Sequence, residues 1–552
     1  MSALDAPVAI VGGGPVGMTA ALVLARHGLR SVVLESEPRL LAQGSRSICV
    51  QRDVLEIFER LGCGRAMADR GVSWTLGRTY YQDVELFQIR FPETTGAAFP
   101  PFVNLPQAML EVFLLDRVRS EPLIELRWSH RVEALSQDAA GVRLRAATPT
   151  GPAEVHASYA IGCDGARSAM RRLLGVDFPG HSFDDRFLIA DVRVALPFPN
   201  ERRFFFDPPF NPGRQVLVHP QPDSVWRIDW QIPAEVEVEQ ERASGRLDRR
   251  IRAIVGEADY ELVWLSSYRF HQRVAARFRV GRAFLAGDAA HLMSPFGARG
   301  LNSGVADAEN LAWKLWLVLD GRAPAELLDT YELERRAAAR ENVAITNATM
   351  RFMVPPTPLH RLLRAAVLRG SPRLPALRRL VNSGKLSAPF VYRASPIVEP
   401  EAGARGTPAV AARPGAVAPD APCRRPGSDG VGRLRQLLGD GFVALWLPPA
   451  GADPVAGVKR ALERPPTAPV ELLVVAAPGQ PPPALPDGAA VVVDTQGALA
   501  AAYGPPGTLC LIRPDGHLAA RRVGMDLAEL GELVDFAAGA RLHTTGRVAA
   551  RG

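Results

Sequence analysis

The sequence contains almost no lysine. Of its 552 residues, 65 are lysine or arginine, yet the lysines are only Lys314, Lys385 and Lys459, so the net charge of +7 rests on arginine. No dense basic run with interleaved aromatic residues occurs, which argues against a nucleic-acid-binding protein. An arginine-rich solvated surface is sufficient to explain the charge.

Cysteines and long apolar runs are also scarce. The cysteines Cys49, Cys63, Cys163, Cys423 and Cys510 form no CxxC pair and no metal-ligand spacing. We therefore expect no metal site, reduced thiols and a cytoplasmic location. No run of about 18 apolar residues is present, so we expect no membrane span. The segment MSALDAPVAIVGGG lacks a basic region and leads directly into a strand, so we expect no signal peptide.

The chain is too long for one compact core, and its apolar patterns predict an α/β protein of two or three domains. Val8 to Val11 has the pattern of a buried strand, and GGGPVG, an Ala/Leu-rich helix and a second strand at 31–35 follow. This order favours a parallel sheet with helices on its faces. Aromatic and β-branched residues alternate with polar ones over 72–102 and 183–233, which is typical of antiparallel hairpins.

The first glycine-rich turn has the spacing of a dinucleotide-binding loop. Gly12, Gly14 and Gly17 match G-x-G-x-x-G between a strand and a helix, where N–H groups and the helix dipole favour phosphates. Glu35 stands 18 residues past Gly17 at the end of the second strand, where a carboxylate can bind a ribose hydroxyl pair. We expect the cofactor to contact Gly12, Gly14, Pro15, Val16, Gly17 and Glu35.

A second glycine-rich turn, GRAFLAGDAAHLMSPFGARGLNSG, lies more than two hundred residues later. Asp288 follows an apolar strand, where its carboxylate could accept a hydrogen bond from a ribityl hydroxyl. The turn at 297–302 then opens a helix, whose N–H groups could stabilise negative charge on a reduced flavin. A strand–turn–helix connection with a capping Asp is the alternative interpretation. FAD is longer than NAD, so two distant turns favour FAD as the cofactor.

The G-x-G-x-x-G loop and two later motifs, in this order along the chain, resemble those of the group A FAD-dependent aromatic hydroxylases, which share the para-hydroxybenzoate hydroxylase fold. GDAAHLMSPFGARGLNSG resembles their GD motif, and CDGARSAMRR, from Cys163 to Arg172, resembles their DG motif, which is associated with both FAD and NAD(P)H. The resemblance covers residues 5–395. The C-terminal part is similar to the thioredoxin-like appendage of the phenol hydroxylase and 3-(3-hydroxyphenyl)propionate hydroxylase branches. Since CxxC is lacking, we expect it to serve packing or a homodimer contact.

The resemblance implies an α/β fold with a Rossmann-like FAD-binding domain, an interleaved antiparallel-sheet substrate domain and a C-terminal thioredoxin-like domain. The predicted division is an FAD-binding domain with a helical extension at 1–72, 103–182 and 270–395, a substrate-binding sheet at 73–102 and 183–269, a linker at 396–430 and a thioredoxin-like domain at 431–552.

The resemblance also implies a reaction. NAD(P)H binds transiently and reduces a tightly but non-covalently bound FAD, and O2 then forms a flavin C4a-hydroperoxide that hydroxylates a phenolic ring. A phenolate reacts better than a phenol, so the site should favour loss of the phenolic proton. The further cofactor residues that the resemblance implies are Arg46, Gln107, Asp164, Asp288, Pro295, Gly300, Leu301 and Asn302.

The substrate is expected to bind between the antiparallel sheet and the flavin. We predict Phe206, Trp226 and Tyr268 as substrate contacts, with Asp229, Trp230 and the segment 202–210 as further candidates. His219 is the predicted proton acceptor because its ordinary pKa is near neutrality. A hydrogen-bonded structural histidine is the alternative. Arg46 is a second catalytic candidate, since it resembles a residue that faces the flavin. Arg299, in the unusual GARG sequence, either stabilises a flavin anion or faces outward.

Other activities are compatible with parts of this pattern. A flavin-dependent halogenase shares the fold, but its motif needs Trp at 228, where this chain has Ile, and a Lys in the N-terminal third, where this chain has none. An FAD-dependent dehydrogenase or reductase without oxygen insertion is the main alternative. A non-catalytic FAD-binding sensor is a further one.

Overall fold

The computed structural model describes residues 6–40, 47–90, 97–294, 297–355, 357–381, 389–401, 410–427, 430–479 and 482–542. The strands are β1 (Ala6–Val11), β2 (Ser31–Leu34), β3 (Cys49–Gln51), β4 (Val72–Ser73), β5 (Leu76–Tyr81), β6 (Val84–Arg90), β7 (Phe102–Asn104), β8 (Ile124–Arg127), β9 (Arg131–Gln137), β10 (Val142–Thr148), β11 (Gly151–Gly162), β12 (Gly180–Arg193), β13 (Arg202–Phe206), β14 (Gln215–Pro220), β15 (Val225–Ile232), β16 (Glu261–Val274), β17 (Arg279–Val280), β18 (Ala283–Leu285), β19 (His291–Leu292), β20 (Pro422–Cys423), β21 (Gly432–Arg433), β22 (Phe442–Trp446), β23 (Val470–Ala476), β24 (Ala489–Val493), β25 (Thr508–Ile512) and β26 (Leu518–Val523).

The helices are α1 (Pro15–Arg26), α2 (Arg52–Arg60), α3 (Gly64–Arg70), α4 (Gln107–Ser120), α5 (Ala169–Leu173), α6 (Val238–Ala243), α7 (Arg246–Val255), α8 (Arg299–Leu319), α9 (Asp329–Met353), α10 (Pro358–Gly370), α11 (Pro375–Val381), α12 (Pro454–Leu462), α13 (Ala498–Tyr503) and α14 (Leu530–Ala537). Within the described ranges, none of these helices combines the length and the apolar character that a membrane crossing needs.

The chain divides into two compact units. The first is built from Met1–Ala21, Ser31–Ala306 and Ala339–Ala388, and the second from Leu22–Arg30, Asp307–Ala338 and Pro389–Gly552. The second unit therefore takes in more of the chain than the C-terminal segment expected from the sequence. The reason is packing, because Trp313 and Leu317 of α8 share one apolar core with Phe442 of β22.

The first unit contains a largely parallel sheet with the order β17-β18-β11-β1-β2-β8, and β9 and β10 extend from β11. Strands β1 and β2 are parallel and α1 connects them, as the sequence predicts. Strand β1 is also parallel to β11 on its other side. Because β1 and β2 are apolar and buried, they suit the centre of a sheet that is covered on both faces.

A second sheet of the first unit has the order β19-β16-β12-β15-β14-β13-β5-β6 and is antiparallel except between β13 and β5. It uses most of the predicted hairpin material, but β12 begins at Gly180 and β16 runs to Val274, beyond the predicted range. Strands β4 and β7 form a separate small sheet with β3. They do so because the backbone of Asn104 pairs with Cys49, a partner that local patterning does not reveal.

The second unit contains a five-stranded sheet with the order β24-β23-β22-β25-β26. Strand β22 is parallel to β23 and antiparallel to β25. All five residues of β22 and of β25 are buried, so both faces of the sheet are covered at its centre. This arrangement gives the unit its own apolar core.

A buried cluster of charges holds helices α8 and α9 to the β25–β26 connection within the second unit. Glu334 accepts hydrogen bonds from Lys314 at 2.8 Å, from Arg513 at 2.6 Å and from the Ser395 hydroxyl at 2.6 Å. Arg513 also donates to Asp515 at 3.1 Å. Burial alone would raise the pKa of Glu334, but the charges of Arg513 and Lys314 outweigh it and hold that pKa well below its usual range. Two anions thus balance two cations inside the core.

Glu334→Gln should lower the free energy of unfolding by about 3–5 kcal/mol, because it leaves Lys314 and Arg513 buried with too little negative charge. Chemical denaturation followed by circular dichroism measures this change. Glu332→Gln is the matched control on the same helix, since Glu332 forms a partly exposed (i, i+4) pair with Arg336 at 3.6 Å. Such a pair is worth less than about 1 kcal/mol. Equal losses in the two variants would contradict the importance of the cluster.

Candidate cofactor and substrate site

The first glycine turn joins β1 to α1 and uses each glycine for a different steric reason. Gly12 has φ +109°, and a Cβ on it would lie 2.5 Å from the carbonyl oxygen of Cys163. A Cβ on Gly17 would lie 1.9 Å from the carbonyl oxygen of Gly12, so the helix and the turn pack too closely for any side chain. Among the described residues, no atom lies within 4 Å of the position that a Cβ on Gly14 would take. The open backbone at Gly14, next to the N-terminus of α1, fits the approach of a pyrophosphate.

Glu35 is fixed beside this turn. Its Oε2 accepts a hydrogen bond from the backbone N–H of Gly13 at 2.6 Å, and its Oε1 accepts one from Glu37 at 2.9 Å. Gln107, at the start of α4, donates to Glu111 at 2.8 Å. Burial raises the pKa of Glu111, the bond from Gln107 opposes that rise, and the nearby charge of Glu35 adds to it. Gln107 and Glu35 are thus held in one neighbourhood.

The second glycine turn lies directly against the first. Gly287 has φ +59°, and a Cβ on it would lie 3.0 Å from Cγ2 of Val16. A Cβ on Gly304 of α8 would lie 2.6 Å from the same Val16 methyl and 3.1 Å from the Cα of Gly287. The side chain of Asp288 is exposed beside this contact. The two turns, far apart in sequence, therefore form one continuous surface, and the residues present fit a long dinucleotide.

The motif around Asp164 supports the second turn. Asp164 accepts hydrogen bonds from the Ser168 hydroxyl at 2.5 Å and from the backbone of Met170 at 2.9 Å, and Ser168 is the N-cap of α5. Arg171 of α5 donates to the carbonyl oxygen of Ala289 at 2.9 Å. The carboxylate of Asp164 therefore forms its hydrogen bonds within the protein, and Arg171 holds the Gly287–Ala289 turn in place.

The start of α8 follows a backbone of unusual conformation. Gly297 and Ala298 have φ +94° and +51°, so an alanine occupies the left-handed region that favours glycine. Asn302 accepts a hydrogen bond from the backbone of Gln51 at 3.0 Å and donates to the carbonyl of Cys49 at 3.0 Å. Its side chain thus ties α8 to β3, so any contact of Asn302 with a cofactor would use its backbone.

Other predicted residues at this helix end have simpler placements. A Cβ on Gly300 would meet no atom of the described part of the chain within 4 Å, and Leu301 is half-buried. Arg299 is buried and donates to the side-chain oxygen of Asn342 on α9. Arg299 therefore does not face outward. Arg46 and Pro295 lie outside the described residues.

A cavity of about 670 Å³ lies between strands β5 and β13 and helices α9 to α11. Its wall includes Phe206 and Phe352, and it reaches the start of α8 at Gly297 and Arg299. This volume is within the range of about 300–1,000 Å³ that small-molecule sites occupy. The contribution of α9 to α11 was missed from the sequence, because these helices lie far along the chain from the sheet they cover.

Strand alternation separates the predicted substrate residues. Phe206 and Tyr268 belong to the apolar cluster on one face of the large sheet. Trp226 and Trp230 belong to the core on the opposite face, where they pack with Leu247 of α7. Successive side chains of a strand point to opposite faces, and β15 turns both tryptophans away from Phe206. We therefore remove Trp226 and Trp230 from the substrate candidates.

His219 lies on the same face as Phe206, but its chemistry differs from that expected. Burial, followed by the charges of Arg202 and Arg227, lowers the pKa of His219 well below its ordinary value. A neutral imidazole of such low basicity is a poor proton acceptor at neutral pH.

Comparisons with known proteins agree with this geometry. A family model described as an FAD binding domain matches residues 5–346. A 3-(3-hydroxy-phenyl)propionate/3-hydroxycinnamic acid hydroxylase from Mycolicibacterium smegmatis is 33% identical over 383 residues, 68% of this chain and 66% of that protein. A para-nitrophenol 4-monooxygenase from Pseudomonas sp. is 31% identical over 401 residues, 70% of this chain and 97% of that protein. The crystal structure of the flavin-dependent monooxygenase PieE, solved with FAD and substrate, is similar with a TM-score of 0.80 and 25% identity, covering 97% of this chain and 100% of that one.

Gly14→Ala should weaken FAD binding by about tenfold or more and leave the stability of the apoprotein unchanged, because its Cβ would enter the open space beside α1. Gly17→Ala should weaken FAD binding and also lower the stability of the apoprotein, since its Cβ would collide with the Gly12 carbonyl. FAD titration by flavin fluorescence and thermal unfolding of the apoprotein separate the two effects. Wild-type FAD affinity in Gly14→Ala would show that the pyrophosphate does not approach this backbone.

Proposed function

We propose that this chain, which belongs to the family of FAD-dependent aromatic hydroxylases, uses NAD(P)H and O2 to hydroxylate a phenolic substrate. The observation that carries the proposal is the contact of the two glycine turns at Val16, with a cavity that reaches the start of α8. One surface for a long cofactor thus ends beside a chamber for a second molecule. The names of the relatives favour oxygen insertion over the dehydrogenase or reductase alternative.

The cofactor-binding roles are assigned from this surface. We assign Gly12, Gly14 and Gly17 to the pyrophosphate, Glu35 to the ribose, and Asp288 with the first turn of α8 to the far end of FAD. When bound and reduced by NAD(P)H, FAD supplies the activation of O2. The protein contributes position, exclusion of water and electrostatics, and the positive end of the α8 dipole suits an anionic cofactor edge.

The substrate is proposed to bind in the cavity, against Phe206 and Phe352. These rings pack edge to face at 5.8 Å between their centroids. An aromatic substrate gains both apolar burial and ring contacts in such surroundings. The two relatives named for 3-(3-hydroxy-phenyl)propionate and para-nitrophenol suggest phenols with an acidic or electron-withdrawing substituent as first substrates to test.

For the remaining organisation we propose a Rossmann-like FAD-binding domain and a thioredoxin-like C-terminal domain that serves packing or a homodimer contact. Among the described residues of that domain, Cys423 and Cys510 are buried, and burial raises their pKa values to about 11 and about 12. Thiols held protonated and away from solvent are poor nucleophiles, which argues against redox chemistry there. Reduced thiols are also in keeping with a cytoplasmic location.

The function is tested by stopped-flow absorbance of the FAD-loaded protein mixed with NADH or NADPH, with and without phenols. We expect one phenol class to accelerate flavin reduction at least about tenfold, and aerobic mixing to yield a hydroxylated product. Product is identified by mass spectrometry with labelled O2. Fast reduction that no phenol alters, with no labelled product, would favour the dehydrogenase alternative.

The two faces of the large sheet should respond differently to substitution. Phe206→Leu should raise KM for the best phenol by about tenfold, since an aromatic contact in the cavity is lost. Trp226→Phe should leave KM unchanged and lower stability by about 1–2 kcal/mol, because Trp226 packs in the core of the opposite face. Steady-state kinetics and thermal unfolding measure both. A raised KM in Trp226→Phe would contradict the face assignment.

A further inference from the structure

One row of the large sheet carries an unusual density of charge on the face that Phe206 shares. His219 of β14 pairs with Arg227 of β15, and Arg227 pairs with Asp191 of β12. Arg202 begins the neighbouring strand β13, and Asp229 stands two residues beyond Arg227 on β15. Arg202, Arg227, Asp191 and Asp229 therefore share this face with apolar residues such as Phe204 and Leu217.

Arg227 and Asp191 form a complete ion pair. Arg227 donates from Nε and Nη2 to the two carboxylate oxygens of Asp191, both at 2.8 Å. Gln221 donates a third hydrogen bond to Asp191 at 2.8 Å. This bidentate geometry satisfies both charges within the protein. Neither Arg227 nor Asp191 is therefore available to a ligand.

Arg202 and Asp229, in contrast, form no ion pair with a described residue. Among the described residues, Arg202, Asp229 and His219 have no hydrogen-bond or ion-pair partner. The Nε of Arg202 and the Nδ1 of His219 are also shielded from solvent. The Cys49 thiol lies near Arg202, but burial raises the pKa of Cys49 to about 12, so it stays neutral.

Arg202 and Asp229 share the sheet face that carries the cavity residue Phe206. Arg202 and Asp229 lie on β13 and β15, with β14 between them, which is roughly 10 Å between strand axes. Arg202 also lines the cavity. Arg202 and Asp229 are both half-buried, and a partly buried charge that has no partner is costly. Such a cost is typical of functional sites, where the missing partner arrives with the substrate.

We propose that Asp229 accepts the proton of the substrate's phenolic hydroxyl and that Arg202 stabilises the phenolate oxygen. The O–H bond of the phenol breaks and its electron pair stays on the phenolic oxygen. The proton forms a new O–H bond on the carboxylate of Asp229, while Arg202 remains a cation. This assignment rests on the proposed function, and it replaces the role predicted for His219.

The electrostatics of the face favour Asp229 over His219 as the acceptor. Burial raises the pKa of Asp229 to about 7, against the opposing charge of Arg227, with Asp191 adding to the rise and Arg202 opposing it. The groups that face Asp229 are thus Arg227 on its own strand, Asp191 on β12, Arg202 on β13 and the neutral His219 on β14. A carboxylate with a pKa near the working pH is well suited to exchange a proton.

The test measures ionisation and proton release together, in the oxidised FAD-loaded protein without NAD(P)H. The probe is 3-nitrophenol, which is mostly neutral in solution at pH 7.5 and whose phenolate absorbs visible light. A pH indicator in weakly buffered solution reports protons released on binding. Wild type should form the bound phenolate and release few protons, because Asp229 takes them. Asp229→Asn should either lose the phenolate absorbance or release about one proton for each phenolate formed.

Matched variants separate this role from a structural one. Asp223→Asn, on the exposed turn of the same hairpin, and His219→Gln should both behave as wild type. Asp229→Glu should restore phenolate formation without proton release, which also covers the case that Asp229→Asn folds poorly. Arg202→Gln should bind the probe as the neutral phenol, whereas Arg203→Gln, the next residue on the opposite face, should leave the phenolate intact.

Several results would overturn the inference. If Asp229→Asn forms the phenolate without releasing protons, Asp229 is not the acceptor. If His219→Gln instead releases about one proton for each phenolate formed, the acceptor is His219. A wild type that hydroxylates a phenol but binds 3-nitrophenol in neutral form overturns this inference and leaves the proposed function standing. A wild type that neither binds nor hydroxylates any phenol overturns the proposed function itself.

Discussion

The candidate site depends on one close approach of backbone to backbone. Gly17 packs so near the carbonyl of Gly12 that no side chain fits between α1 and its turn, and Val16 then fills the space against Gly287 and Gly304. A Cβ on Gly287 or Gly304 would separate the two turns, and a Cβ on Gly17 would distort the first turn, because closely packed protein interiors resist displacement. The surface that we assign to FAD exists only while these contacts hold.

The second constraint is the two-residue period of the large sheet. It places Trp226 in the core with α7 and leaves Arg227 and Asp229 on the face that carries Phe206. A shift of one residue in the pairing of β15 would reverse this distribution and bury the charges in the apolar core. The register therefore keeps these charges out of the apolar core, and it also places the unpaired Arg202 and Asp229 on the face of the proposed substrate site.

The two buried charge clusters have different character. In the second unit, Glu334 is surrounded by Lys314 and Arg513, so every charge has a partner and the cluster holds α8, α9 and the β25–β26 connection in one core. On the sheet face of the first unit, Arg202 and Asp229 have no such partner among the residues that the structure describes. A cluster in which all charges are paired contributes specificity of packing. In a cluster with unpaired charges, the cost of burying them can be offset when a ligand binds and pairs with them.

The sequence alone determined the features that depend on neighbours along the chain. The G-x-G-x-x-G spacing, the strand on each side of α1, the position of Glu35 and the second turn at Gly287 follow from local steric demands of glycine and from short apolar runs, so the α/β class and FAD were predictable. Only the tertiary structure decided which face each sheet residue occupies and that α9 to α11 cover the cavity. It also decided that the side chains of Asn302 and Asp164 form hydrogen bonds within the protein. These depend on pairing between strands from separate segments, and the same pairing decides pKa values. His219 and Trp226 looked suitable in sequence because residue type carries no information about burial, neighbouring charge or sheet face.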